Sequence, residues 1–346
     1  MNRILLAVLV SVGCAKGPAF GPAAAPLTEP TALCSAAQRS GCRGVARVER
    51  RLARADLELL GATGSPGGTQ GAFVLTLRDR SDGTVLRAKW RAVDGGGLLN
   101  VPHRELGAYH VQQLLLAPRD QVIPPTAARC LPLDAYREHV DPDARPTEGT
   151  ECVLGFVTYW LEHAIGVDDA RDSGLLEAGE GLYDPERFSE DEVYRSTLSN
   201  LNLVSHLVRH GDAHRGQFVF VRHGPHLVSY SVDHSIAFEA VPNPMLLFRK
   251  DWSNIQLPSL PASSIARLRR TTQDEIARLR TLVELELRDG MLVPVDEGAA
   301  FGDPGSPVRL DADRVQIGLT EREVEGVAER IRGLLSAIER GEIQTR

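Results

Sequence analysis

Between residues 56 and 238 the hydrophobic positions switch between two rhythms, and the switches predict an order of elements. Residues 56–62 are apolar and strand-like, 63–71 form a Gly-rich loop, and 72–78 alternate with the period of two of a half-buried strand. Ser81-Asp-Gly83 supplies a turn, and 84–92 reads as a third strand. After Asp94-Gly-Gly-Gly97 the rhythm lengthens. Pro102 opens a helix over 103–116, with Leu106, Tyr109, Leu114 and Leu115 near one face and Glu105 in the first turn. Val122-Ile-Pro-Pro125 begins a new strand, 126–150 reads as loop, and 153–161 is an apolar strand. An acidic, Gly-rich connection over 166–187 leads to a capping box, Ser189-Glu-Asp-Glu192, that opens a helix to about Arg209. Two short strands, 218–221 and 227–232, flank the turn His223-Gly-Pro-His226 and deliver the chain to Asp233. Farther on, Pro261-Ala-Ser-Ser264 caps a long helical segment through Leu287, and Thr320-Glu-Arg-Glu323 caps another to about Arg340.

The first residues do not continue this pattern. Met1-Asn-Arg3 is a positive end, and 4–10 is an apolar stretch too short to span a bilayer. Ser11-Val-Gly-Cys14 follows, and the whole resembles a bacterial lipoprotein signal in which Cys14 is lipidated. The protein is then exported and membrane-anchored; an ordinary cleaved signal, giving a soluble secreted protein, is the alternative. The organisation expected is a signal over 1–14, an Ala/Pro/Gly-rich tether over 15–32, a β-rich lobe over 33–160 and a mainly helical lobe over 161–346. Export also changes how the remaining cysteines read, because Cys34, Cys42, Cys130 and Cys152 can pair in an oxidising compartment. Three connectivities are open, and spacing favours the local pairs Cys34–Cys42 and Cys130–Cys152.

Composition removes some function classes. The 346 residues are 42% hydrophobic and 25% charged, which is ordinary for a globular protein. A net charge of -7 argues against a nucleic-acid partner, and 5% aromatic content argues against single-strand stacking.

Candidate chemistry concentrates in residues 204–238, which hold six of the ten histidines together with Asp212 and Asp233. Carboxylates at the ends of short apolar elements suit metal and phosphate. Of 39 Lys and Arg residues only Lys16, Lys89 and Lys250 are lysines, and Lys89 falls in an apolar-leaning strand, where a point charge for phosphate is useful. Gly64, Gly67 and Gly68 lie in a loop whose backbone N–H groups can approach phosphate oxygens. Glu105 is either a helix-dipole residue or the partner of Lys89. A rival reading notes the helical spacing of His206, His210 and His214 and groups His210, Asp212 and His214 with Asp233-His234 as ligands of Zn²⁺ or Fe²⁺ in a hydrolase.

Three stretches carry a resemblance. Arg104-Glu-Leu-Gly-Ala-Tyr109 followed by Val122-Ile-Pro-Pro125, then His210-Gly-Asp-Ala-His-Arg-Gly-Gln217, then Ser231-Val-Asp-His-Ser-Ile-Ala-Phe238 resemble the glutamate helix, catalytic loop and metal loop of the protein-kinase-like superfamily. The likeness is to its atypical branch, with the phosphatidylinositol 3-/4-kinase-like, secretory-pathway and HipA-type kinases. The resemblance implies an α+β, two-lobed fold: a small antiparallel β lobe with one helix, and a larger, mainly helical lobe. It implies transfer of the γ-phosphate of ATP to a hydroxyl of a protein, lipid or sugar. In that scheme Lys89, held by Glu105, binds the phosphates, and Asp212 orients or deprotonates the acceptor. Asp233 and Gln217 ligate Mg²⁺ or Mn²⁺, and the hinge at Tyr159, Trp160 and Leu161 reads adenine. The sequence departs from the pattern at Ala213, where Arg is usual, at Gln217, where Asn is usual, and at His234-Ser235, where the loop often has Gly. A kinase-fold lipoprotein that binds nucleotide or a partner without catalysis is the remaining alternative.

Overall fold

Five strands build the main sheet. The computed structural model describes residues 33, 44–65, 71–93, 101–177, 182–223, 226–238 and 252–346. Strands β1 (Leu57–Gly64), β2 (Phe73–Asp79), β3 (Val85–Ala92), β4 (Thr126–Pro132) and β5 (Cys152–Tyr159) form one antiparallel sheet in the order β1-β2-β3-β5-β4. Helix α1 (Val45–Arg54) precedes β1, helix α2 (His103–Leu115) lies between β3 and β4, and helix α3 (Leu133–His139) follows β4. The pleat sends alternate residues of each strand to opposite faces. On β3, Leu86, Ala88 and Trp90 enter a core shared with Leu52 of α1 and Tyr136 of α3. On β5, Val153, Val157 and Tyr159 join that same core, while Leu154 and Phe156 join a second one with α2. The odd positions of β3, including Lys89, therefore face the side on which α2 packs.

Helix α2 is buried almost all round, with ten of its thirteen residues inaccessible, so its polar side chains must find partners within the protein. Gln112 does so in full. Its Oε1 accepts from the backbone N–H of Val122 and of Ile123, both at 2.9 Å, and its Nε2 donates to Ile123 O at 2.8 Å. This pin explains a correction to the expected elements. Residues 122–125 run across the Gln112 amide rather than along the sheet, and β4 begins only at Thr126, inside the stretch expected to be loop.

After α4 (Val167–Asp172) and α5 (Pro185–Glu190) comes α6 (Glu192–Leu207), capped by Asp191, whose carboxylate accepts from Val193 N and Tyr194 N. A small sheet joins β6 (Ile165–Gly166), β7 (Phe218–His223) and β8 (His226–Ser231). Beyond it lie β9 (Ser259–Leu260), α7 (Ala262–Leu268), α8 (Gln273–Ala277), β10 (Val283–Arg288), β11 (Met291–Val295), β12 (Val308–Asp311), β13 (Arg314–Ile317), α9 (Glu321–Glu339) and β14 (Gln344–Thr345). The long helix expected through Leu287 is thus two short helices followed by a strand. That strand belongs to a four-stranded antiparallel sheet, β11-β10-β13-β12. Asp289 and Gly290, both at positive φ, turn β10 into β11, so the Asp-Gly pair outweighs the helix propensity of the Glu and Leu residues before it. Helix α9, with the Thr320–Glu323 capping box, matches its expectation. The whole is a mixed α+β architecture with antiparallel sheets.

Cys130 and Cys152 are disulfide-bonded, clamping β4 to β5 across the loop between them. Cys34, Cys42, Gly67, Gly68 and Cys14 lie outside the described residues. Among those residues no helix is long and apolar enough to cross a membrane. Reduction of the Cys130–Cys152 bond, which spans 22 residues, is expected to lower unfolding stability by about 3 kcal/mol. The check is a denaturant titration with and without reductant, compared with the Cys130→Ser/Cys152→Ser double variant.

Candidate functional site

The face of β3 opposite the Trp90 core carries three cations in a row: Arg87, Lys89 and Arg91. Each meets an acid brought from elsewhere in the chain. Arg87 Nε donates to Glu162 Oε1 at 2.6 Å, just beyond β5. Lys89 Nζ donates to Glu105 Oε1 of α2 at 2.9 Å and lies 3.2 Å from Asp233 Oδ1. Arg91 Nη2 lies 3.1 and 3.0 Å from the two carboxylate oxygens of Asp233, and its Nε is 3.4 Å from Glu105 Oε1. Lys89, Arg91, Glu105 and Asp233 therefore form one closed network of two cations and two anions. Their side chains are 12%, 8%, 7% and 27% exposed in that order, so Asp233 is the member open to the outside. Thr158 Oγ1, next to Lys89 across the β3–β5 ladder, donates to the other oxygen of Glu105 at 3.4 Å.

Asp233 follows β8 in a left-handed conformation, φ 58°, uncommon for a non-glycine residue though better tolerated by Asp than by most. Ser235 Oγ donates to Asp233 Oδ1 at 3.0 Å, and His210 Nε2 donates to the Asp233 carbonyl at 3.0 Å. Because a carbonyl only accepts, His210 carries its proton on Nε2. Burial alone would raise the Asp233 pKa, but the Lys89 and Arg91 cations override it and hold the carboxyl well below the usual range. His210 and His234 stack at 4.4 Å, and burial pushes both pKa values down, so the pair is neutral at physiological pH.

The Asp212 loop is stitched to this one. Helix α6 ends at Leu207, Arg209 takes φ 46°, and Gly211 N donates to Ile236 O at 2.8 Å. A Cβ at Gly211 would sit 2.5 Å from that same carbonyl oxygen, so only glycine allows the approach. Val232 N donates to Gln217 O at 2.9 Å, a second stitch. Asp212 Oδ2 accepts from Gln217 Nε2 at 2.9 Å, and Oδ1 lies 3.3 Å from His214 Nε2. His214 Nδ1 accepts from Gly216 N, which leaves the proton on Nε2, facing Asp212. Burial would raise the Asp212 pKa, and the His214 and Gln217 hydrogen bonds outweigh it, so the carboxyl is held below its ordinary value.

The expected site residues thus fall into groups. Lys89, Glu105 and Asp233 meet directly. Asp212 lies on the adjoining loop with Gln217, which touches Asp212 rather than Asp233. At the expected hinge, Tyr159 N donates to Pro125 O and Trp160 N to Arg87 O, so these two donors serve the sheet, and Tyr159 and Leu161 are buried. Gly64 ends β1 opposite Phe73, where a Cβ would meet nothing. Of the histidines in the rival reading, His206 Nδ1 donates to Ser253 O, His214 faces Asp212, and His210 and His234 stack on each other, with His234 also bonded to Ser231. Among the described residues no three His, Cys, Asp or Glu side chains are placed to hold a metal ion. Arg91 and Thr158 carry no signal of their own in the sequence, although Arg91 shares the alternation that places Lys89, and Ser235 stands out there only as a departure from the loop pattern.

A second polar cluster fixes α2 from its other side. Glu323, in the first turn of α9, accepts from Arg104 Nε at 2.7 Å, from His103 Nε2 at 3.2 Å and from Thr320 N at 3.0 Å. Gly107 lies against the Leu319 side chain just before α9. No protein-family model matches the chain, and no curated protein is significantly similar to it in sequence.

Burial would raise the Glu323 pKa, but the His103 hydrogen bond and neighbouring cations bring it down to about 2 from an ordinary 4.5. A depressed acid contributes stability that is complete above its unfolded-state value and is lost as pH falls toward its folded value. Glu323→Gln is therefore expected to cost roughly 2 kcal/mol at neutral pH. The gap to wild type should narrow as pH falls from about 4.5 toward 2, measured by denaturant titration at each pH.

Proposed function

We propose that this chain is a kinase-like phosphotransferase that moves the γ-phosphate of ATP to a hydroxyl acceptor, on a two-lobed scaffold of the atypical protein-kinase-like type. The observation that carries the reading is the Lys89–Glu105–Asp233 contact. It unites a strand, the helix after it and a loop more than a hundred residues downstream. In protein kinases a strand lysine pairs with a helix glutamate beside a loop aspartate that serves the phosphates. The central position of β3 in the sheet and the loop that follows the β7–β8 hairpin support the same reading. The Cys130–Cys152 bond supports export to an oxidising compartment, where the anchor at Cys14 would hold the protein at a membrane.

The chemistry assigned to the residues is as follows. Lys89, oriented by Glu105, holds the phosphates and neutralises charge on the transferred group. The acceptor hydroxyl oxygen attacks the γ-phosphorus, the bond from phosphorus to the β,γ-bridging oxygen breaks, and ADP departs with those electrons. The hydroxyl proton passes to Asp212, which is ionised at neutral pH and held in place by His214 and Gln217. A divalent ion does not fit the donors as they stand. Both oxygens of Asp233 face Arg91, one of them also faces Lys89 and Ser235, and the Gln217 amide is spent on Asp212. No step is therefore assigned to such an ion. The Gln217–Asp212 bond also favours a second reading, nucleotide binding without transfer, since it occupies one oxygen of the base.

ATP is expected to raise the melting temperature of the full chain, and Lys89→Met to abolish that shift. Asp212→Asn should keep the shift while lowering phosphate transfer, followed with radiolabelled ATP, by about a hundredfold or more. A transfer rate unchanged in Asp212→Asn would remove the base from the mechanism. A shift without transfer in wild type would select the non-catalytic reading.

A further inference from the structure

We infer that Arg91 takes the place of the divalent ion at this site: Lys89 and Arg91 together neutralise the phosphates of a nucleotide, whose binding then needs no metal. The inference rests on the nucleotide reading above and deepens it.

Residues two apart on β3 share a face, so Arg91 points where Lys89 points and reaches the same two acids. The network is neutral by itself, with two positive and two negative charges. A divalent ion bound to Asp233 would sit about 2.1 Å from a carboxylate oxygen. Oxygen Oδ2 already has the Arg91 guanidinium nitrogen at 3.0 Å, so ion and guanidinium would be held together as like charges in a largely dehydrated site. Either Arg91 leaves or the ion does not enter. Arg91 is buried with its strand in the middle of the sheet, and its Nε side lies within ion-pair distance, 3.4 Å, of Glu105.

A polyphosphate meets the opposite situation. The guanidinium fork matches phosphate oxygens in pairs, and it keeps its charge at every accessible pH. Asp233 is the exposed anion of the network and Glu105 the buried one. An incoming phosphate therefore competes with Asp233 for Lys89 and Arg91, while Glu105 continues to orient both cations. Asp233 keeps its Ser235 hydrogen bond through the exchange. Gln217 is consistent with this division, because its amide supports Asp212 rather than a metal shell.

The test measures the affinity of the full-length chain for a non-hydrolysable ATP analogue by calorimetry, once in excess chelator and once in excess Mg²⁺. Wild type is expected to bind in both, with affinities within about threefold. Arg91→Gln should bind about ten- to a hundredfold more weakly in chelator and recover most of the loss in Mg²⁺. Arg91→Lys, which keeps the charge without the fork, should stay within about tenfold of wild type in chelator. Wild-type binding that requires Mg²⁺ overturns the inference and leaves the nucleotide reading standing. A folded Arg91→Gln variant that binds like wild type in chelator overturns it as well, by reducing Arg91 to a structural tie. If Arg91→Gln does not fold, the wild-type comparison decides alone. Absence of binding under both conditions, with inorganic triphosphate as a second probe, overturns the nucleotide reading and this inference with it.

Discussion

Everything at the site depends on a set of charges that water does not reach freely. Moving Lys89, Arg91 and Glu105 out of water is unfavourable by several kcal/mol per ion unless each is met by an opposite charge at short range. That requirement ties together elements with no other reason to coincide. The sheet must present odd positions of β3 toward α2, α2 must present its first turn toward the sheet, and the chain after β8 must swing Asp233 inward. The left-handed backbone at Asp233 is the conformational cost of the last step. The stacked histidines and the Gly211 close approach are what hold it there.

The site divides into two regions with different electrostatic characters. Around Asp233 the positive charges lie within the same closed network as the acids. Around Asp212 the partners are His214 and Gln217, both hydrogen-bond donors, the first capping and the second ending the short 3₁₀ turn Arg215–Gln217. The stitches Gly211–Ile236 and Gln217–Val232 tie the two regions to each other through the backbone.

Much of the architecture was legible in the sequence wherever one periodicity dominated. The strands around Lys89, the helix at Glu105 and the Thr320–Glu323 cap emerged from local pattern alone, because each local preference agreed with its tertiary setting. The reading failed where two signals competed. Residues 283–288 alternate strictly and run into Asp289-Gly290, yet their Glu, Leu and Arg residues favour helix. Arg91 was legible in principle from the Arg87, Lys89, Arg91 spacing, and only its partner beyond β8, Asp233, was not. Gln112 and the Glu323 cluster were illegible, since nothing local says that a glutamine will replace a strand partner or that a capping glutamate will also receive His103 and Arg104.

Glu323 has a consequence for biosynthesis. The helix that carries Glu105 receives its outer support from a residue some 219 positions downstream. While the polypeptide is being made, the lysine strand and its helix emerge long before the helix that braces them. An emerging chain therefore carries all the named site residues well before it carries a settled site. The brace arrives late, with α9, and a ribosome stalled short of that helix would leave the charges of the site present but unbraced.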